Sequence, residues 1–480
     1  MILGESGVAA ADRNDPAGLE IGDLAARLRR RALSAAELAE RMLARIAGED
    51  GHLHSFAFLD PELVRRQARE ADLALDRGET RPLLGVPIGV KDLFSTRDMP
   101  TRAGMRLPVP HRPFEDATVV ARLRQAGAVI IGKLEMTEGA FALHHPEVAP
   151  PLNPWDPALW PGASSSGAGV AVAAGLCHGA IGSDTGGSIR FPCAANGLTG
   201  LKPGWGAVSR HGAFELAASL DHVGPIARSA RDAALLYAVI GGHDPADPTS
   251  RPGRPAPYRD DAAGTLRGIR IGFDPRWNEA GCEPATARCL AEAQQAFRQL
   301  GASLEALRLP EVAEAVAHWE LIAGVETAVA HADLYPRHAG HYGPALTRLI
   351  EIGRAASAGD YQRGLLSRME LRGRLDALLS DVDLLIAPVQ PFDAPTLDRL
   401  GALASDPDAN ARLIGFTAPF NLSGHPAISL PGRPTDAGAP IGFQLVAGQG
   451  REPLLLSAAM AFQQATEWHR RSPDSKAGTH

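Results

Sequence analysis

The chain has 480 residues, enough for a large core, and length alone would suggest two or three domains. Its 45% apolar and 21% charged residues are those of a soluble globular protein. A net charge of −7, with no basic run longer than Arg29–Arg31, argues against a nucleic-acid partner. Cys177, Cys193, Cys282 and Cys289 have no CxxC spacing, which predicts reduced structural thiols in a cytoplasmic protein and no metal site. The N-terminus lacks a basic start, and no apolar stretch reaches the ~18 residues of a membrane span, so no membrane partner is expected.

Taken in order, residues 17–48 predict two helices, the second opened by the capping signature Ser34-Ala-Ala-Glu37. A third runs from Pro61 to Leu75. "LLGVPIGVKDLF" then reads as a buried strand ending near Lys91, Ala117–Gln125 as a helix, and Ala126–Lys133 as a second buried strand. Residues 145–163 are dense in proline and predict an irregular crossing. "SSSGAGVAVAAGLCHGAIG" reads as one central helix of very small side chains. Ala227–Gly242 is helical, and a strand at 267–273, a helix over Ala285–Leu300 and further helices to Leu379 follow. Strands return at 383–389, 426–431 and 441–447. Residues 1–16 predict a flexible start and 469–480 a disordered tail. Helix followed by apolar strand implies an α/β layer architecture.

Only four of the 48 basic residues are lysine: Lys91, Lys133, Lys202 and Lys476. Arginine cannot lose its proton in a protein, whereas a buried lysine can become a neutral base. Lys91, flanked by "GVPIGV", is the candidate; Lys133 and Lys202 read as structural, capping carbonyls or pairing with carboxylates. "GSDTGGSIRFP", Gly182–Pro192, sets Ser188 behind two glycines with no histidine nearby. G-x-S-x-G, S-x-x-K, a dinucleotide fingerprint and a P-loop are all absent. A triad with His178, His211 or His222 stays open, though nothing in the sequence places it. His144 and His145 read as loop or pocket-rim residues, and Cys193 as packing.

"GVPIGVKDLF", "PGASSSGAGVAVAAG" and "GSDTGGSIRFP", continued by "GLKPGWGAVSRHG", "SLDHVGPIARSARDAALL" and "PFNLSGHPAISLPG", resemble the blocks of the amidase signature family. The resemblance covers roughly residues 20 to 465. It implies one large α/β/α domain around a mixed sheet, here 17–468 with a core at 85–230 and a sheet-completing part at 383–450, and often a homodimer. It also implies a Ser-Ser-Lys triad of Ser188 as nucleophile, Ser164 as the bridging serine on a cis peptide bond, and Lys91 as base. Backbone amides of Thr185, Gly186 and Gly187 would face an oxyanion. Asp184 and Arg190 would brace the loop, and Phe191 and Ala140 are candidates for the substrate pocket. No cofactor is implied, and the substrate class is a small-molecule amide.

Two departures from the family bear on the reading. Where the middle block is commonly G-G-S-S-G-G-S, this chain has Gly162-Ala163-Ser164-Ser165-Ser166-Gly167-Ala168. Three serines in a row leave Ser165 as a second candidate for the bridge, although the spacing to Ser188 matches the family at Ser164. Phe191 stands where the glutaminase chains of amidotransferases usually carry glutamine, which favours a self-sufficient hydrolase. The alternatives are such a glutaminase chain, dependent on partner proteins, and a catalytically dead binding protein on the same fold.

Overall fold

Ser34 opens the second helix as its spacing predicts: its Oγ accepts the Glu37 N–H at 3.0 Å, capping Ala35–Leu53. Leu38, Met42, Leu43 and Ile46 along that helix are buried. The computed structural model describes residues 15–107, 109, 115–253, 255, 264–403 and 407–473. The expected flexible start therefore lies, apart from residues 15 and 16, outside the described residues, as does the tail beyond 473. The expectation of disorder from 469 is corrected at its start: His469 and Arg470 complete a helical turn begun by Trp468, which packs against Phe462.

Among the described residues, eleven strands form one mixed sheet. They are β1 (Phe56–Phe58), β2 (Pro87–Lys91), β3 (Val129–Leu134), β4 (Gly179–Asp184), β5 (Thr199–Lys202), β6 (His222–Ala227), β7 (Arg270–Phe273), β8 (Ser303–Ala306), β9 (Leu384–Pro388), β10 (Ala427–Pro431) and β11 (Gly442–Ala447). Their order is β1-β3-β2-β4-β6-β5-β10-β11-β9-β7-β8. β3, β2 and β4 run parallel, as do β9, β7 and β8; the centre from β4 through β11 to β9 is antiparallel. Every residue of β2, β3, β4 and β6 is buried, the pattern of strands covered on both faces. Helices Ala230–Ile240, Pro284–Gln299 and Glu452–Ala465 are among those packed on the sheet.

The small-residue stretch corrects the sequence reading. The helix covers only Ser166–Ala173; the chain turns at Gly175, with φ of +70°, and the second half becomes β4. An all-small, all-apolar run has neither a helical nor a strand period, so the boundary leaves no trace in the pattern. Gly167 explains the choice of small residues. A Cβ there would lie 2.4 Å from the Ser55 carbonyl oxygen and 2.6 Å from the Glu135 nitrogen. β5 and β6 are also absent from the sequence reading, because β5 has only four residues and β6 carries Gly224 and Pro225 inside it.

Because β2 and β4 are parallel neighbours, Lys91 and Asp184 finish at the same edge of the sheet. That is where open α/β sheets hold their ligands.

Candidate active site

Lys91 is the last residue of β2 and is fully enclosed. Its Nζ lies 2.6 Å from Ser164 Oγ and 2.9 Å from Ser183 Oγ. Burial drives its pKa down to about 7, against the opposing pull of Asp221 and Asp184. Among the described residues, no carboxylate stands within ion-pairing distance of it.

The three consecutive serines have three different partners. Ser164 reaches Lys91, and its peptide bond to Ala163 is cis. Ser165 donates its hydroxyl to the Ser183 carbonyl at 3.2 Å and its N–H to the Ser188 carbonyl at 3.3 Å. Ser166 Oγ sits 2.9 Å from His144 Nε2. Ser165 is therefore occupied with backbone, and of the three serines Ser164 is the one whose hydroxyl stands against Lys91.

Ser188 is the one residue from Gly182 to Arg190 that is not buried. Everything beneath it is held. Asp184 accepts from the amides of Gly187 (2.9 Å), Ile189 (3.1 Å) and Arg190 (3.3 Å), and from Arg190 Nε (3.0 Å) and Nη2 (2.9 Å). Burial alone would raise its pKa, but the Arg190 guanidinium overcomes that and holds the carboxyl well below the usual range. Arg190 continues to Gln444 Oε1 at 2.9 Å and Asn421 Oδ1 at 2.6 Å. Above this node, Trp319 Nε1 donates to the Thr185 carbonyl at 2.9 Å, and Thr417 Oγ1 to that of Gly186 at 2.5 Å. Thr185 Oγ1 donates to Asp221 at 2.6 Å.

These contacts correct one expectation. The family pattern turns the Gly187 amide toward an oxyanion, yet here it is committed to Asp184 Oδ1. Asp184 draws that donor inward because the carboxylate needs it, which leaves Thr185, Gly186 and Ser188 as the amides of the loop. Gly187 is required for another reason: with φ of +140°, a Cβ there would stand 2.3 Å from the Phe191 ring. Phe191 is buried under the loop, 5.6 Å from Trp160, in a small cluster with Ala194 and Val389. Ala140, with φ of +63°, lines a narrow pocket beside Ser183.

The remaining candidates have other partners, although His222 pairs in register with Asp184 on the neighbouring strand. His178 pairs with the Pro16 carbonyl, His211 with Thr118, and His222 with the Leu220 carbonyl. Lys133 forms an ion pair with Asp92 at 2.9 Å, and Lys202 donates to the carbonyls of Pro203 and His425. His145 and Cys193 are buried. No group of three metal-ligating side chains gathers among the described residues. None of their helices is long and apolar enough to cross a membrane. Ser183, Asp221, Trp319, Thr417, Asn421 and Gln444 do not stand out in the sequence. Ser183, five residues before Ser188, and Asp221 and Asn421 fall inside the quoted blocks, where membership of a block is the one signal that could have found them; Trp319 and Thr417 lie outside those blocks.

Residues 37–456 match the amidase family model. The chain is 48% identical over 458 residues to a Mycobacterium tuberculosis protein named "Putative amidase AmiD", covering 95% of this chain and 96% of that one. It is 38% identical to the A chain of the glutamyl-tRNA(Gln) amidotransferase of Methylococcus capsulatus, covering 94% and 98%. The structure of peptide amidase from Stenotrophomonas maltophilia superposes with a TM-score of 0.80 at 28% identity, covering 95% and 98%. The chain belongs to the amidase family, and its activity is hydrolysis of amide C–N bonds.

Proposed function

We propose that this amidase converts a small-molecule carboxamide to a carboxylic acid and ammonia or an amine through an acyl-Ser188 intermediate, with Ser164 as proton bridge and Lys91 as base. One observation carries the reading. A lysine enclosed on all sides, with no ion-pair partner among the described residues, holds a serine hydroxyl at 2.6 Å.

The chemistry follows from those groups. A lysine of ordinary pKa, ~10.4, is ammonium at neutral pH and accepts nothing. Burial leaves Lys91 largely neutral above about 7, so the Ser164 hydroxyl can donate to Nζ while accepting the proton of Ser188. Ser188 Oγ then attacks the amide carbon, and the loop amides of Thr185, Gly186 and Ser188 receive the developing oxyanion. The proton returns by the same path to the leaving nitrogen, and water releases the acid. Side chains and backbone carry each step, so the proposal invokes no cofactor. Four free thiols, three of them buried, suit a cytoplasmic enzyme. A homodimer is the proposed assembly; Val329 and Met369, exposed on helices packed against one another, are apolar surface it would cover.

Fluorophosphonate labelling with mass-spectrometric mapping tests this without a substrate. An adduct on Ser188 that vanishes in Lys91→Ala supports it. No adduct on the lone chain, or one on another serine, overturns it. Similarity to the glutaminase chains of amidotransferases favours one second reading, a partner-dependent glutaminase, which would require added partner proteins and glutamine for turnover.

A further inference from the structure

Asp221 is a buried carboxylate that this chemistry does not use, and among the described residues it has no ion-pair partner. Its oxygens are instead held by three neutral donors: Thr185 Oγ1 at 2.6 Å, Leu216 N–H at 3.0 Å and Ala217 N–H at 3.2 Å. Enclosing a carboxylate in this way costs several kcal/mol before its hydrogen bonds are counted, so stability alone is a poor reason for it. Its position suggests another. Asp221 lines the narrow pocket that Ser183 also lines, and Ser183 Oγ is the second partner of Lys91 Nζ. The carboxylate thus shares a pocket wall with Ser183, whose hydroxyl touches the lysine, while gripping the first residue of the nucleophile turn.

We propose that Asp221 is a positioning residue that sets the charge balance of Lys91 and ties it to the nucleophile loop through Thr185. This rests on the Ser188–Ser164–Lys91 reading above. The other charged groups facing the pair have their own partners. Arg210 and Glu215, across the pocket, bind each other at 2.8 Å. Asp184 is held by Arg190 and Asn421, and His222, next along β6, hydrogen-bonds the Leu220 carbonyl. Lys133 and Asp92 are paired on the neighbouring strands. Asp221 is the carboxylate near Lys91 with no cation of its own among the described residues. Burial raises its pKa to about 6, which leaves it ionised where Lys91 titrates.

The sign is definite. A nearby negative charge favours the ammonium, so removing it makes Lys91 easier to deprotonate. The test measures the rate of Ser188 labelling by a fluorophosphonate against pH, for wild type and Asp221→Asn. The expected result is an acid limb displaced downward by about one pH unit, with a lower plateau because the grip on Thr185 weakens. A lower plateau with an unmoved limb would show a purely structural residue and overturn the proposal. Should Asp221→Asn not fold, 13C-lysine labelling of the wild type decides. With only four lysines in the chain, the Lys91 resonance can be assigned by its loss in Lys91→Ala. Two titration steps are expected, and a single-site curve overturns the coupling. Failure of Ser188 to label at all in wild type would overturn the triad reading itself.

Discussion

Lys91 and Lys133 occupy adjacent parallel strands, one register step apart, and both are fully enclosed. One faces two serine hydroxyls, the other a carboxylate, a threonine and a carbonyl. Burial lowers the pKa of both, but at Lys133 the 2.9 Å contact with Asp92 opposes it directly. Burial alone therefore does not make a lysine a base. What matters is whether a counter-charge sits against the amine or at one remove, as Asp221 does.

The same substitution at both positions should divide the two roles. Lys91→Met is expected to lower the Ser188 labelling rate by about 10²–10⁴-fold, the range for a lost general base, with a thermal midpoint no lower than wild type. Lys133→Met should do the reverse. It strands a buried carboxylate, costing about 3–5 kcal/mol in denaturant unfolding, while labelling per folded molecule persists. Adding Asp92→Leu to it should recover most of that loss. An inactive but stable Lys133→Met would break the comparison.

The pH profile sharpens it. In the proposed mechanism Lys91 acts as a neutral base, so labelling should rise about tenfold per unit up to about 7 and then level off. A limb near 10 would mean that the lysine is not desolvated as the fold implies. The smallest effect is expected at Ser183→Ala, which removes one hydrogen bond to Nζ but leaves Ser164 in place. A loss of roughly two- to tenfold matches the net worth of one such bond.

The parts of the site that lie in contiguous blocks are legible in the sequence. Lys91, Ser164 and Ser188 each sit inside a recognisable string, and the scarcity of lysine together with the apolar flank points to Lys91 as the proposed base. The Asp184–Arg190 brace, six residues apart in one block, is legible too; the outer supports are not, because they are contacts between residues far apart in the chain. Thr185 meets Asp221 and Trp319, and Arg190 meets Asn421 and Gln444; no local period records such pairings. Gly187 shows the limit of a motif from the other side. Its presence reads as an open backbone donor, whereas the glycine accommodates Phe191 and its N–H turns inward. β5 and β6 escape notice for a similar reason, since β6 with its internal proline looks like loop until its neighbours are known.

The bracing of Arg190 has a consequence for the timing of synthesis. Its two amide partners lie 231 and 254 residues further along the chain. At ~5–20 residues per second, a ribosome takes roughly 10–50 s to cover that distance. Throughout that interval the nascent chain already carries its lysine and both serines, but not Gln444 and Asn421, which hold Arg190 beneath the turn. Hydrolytic competence should thus arrive only after β11 has been made, and a fragment truncated before Asn421 would be latent even with every reacting group present.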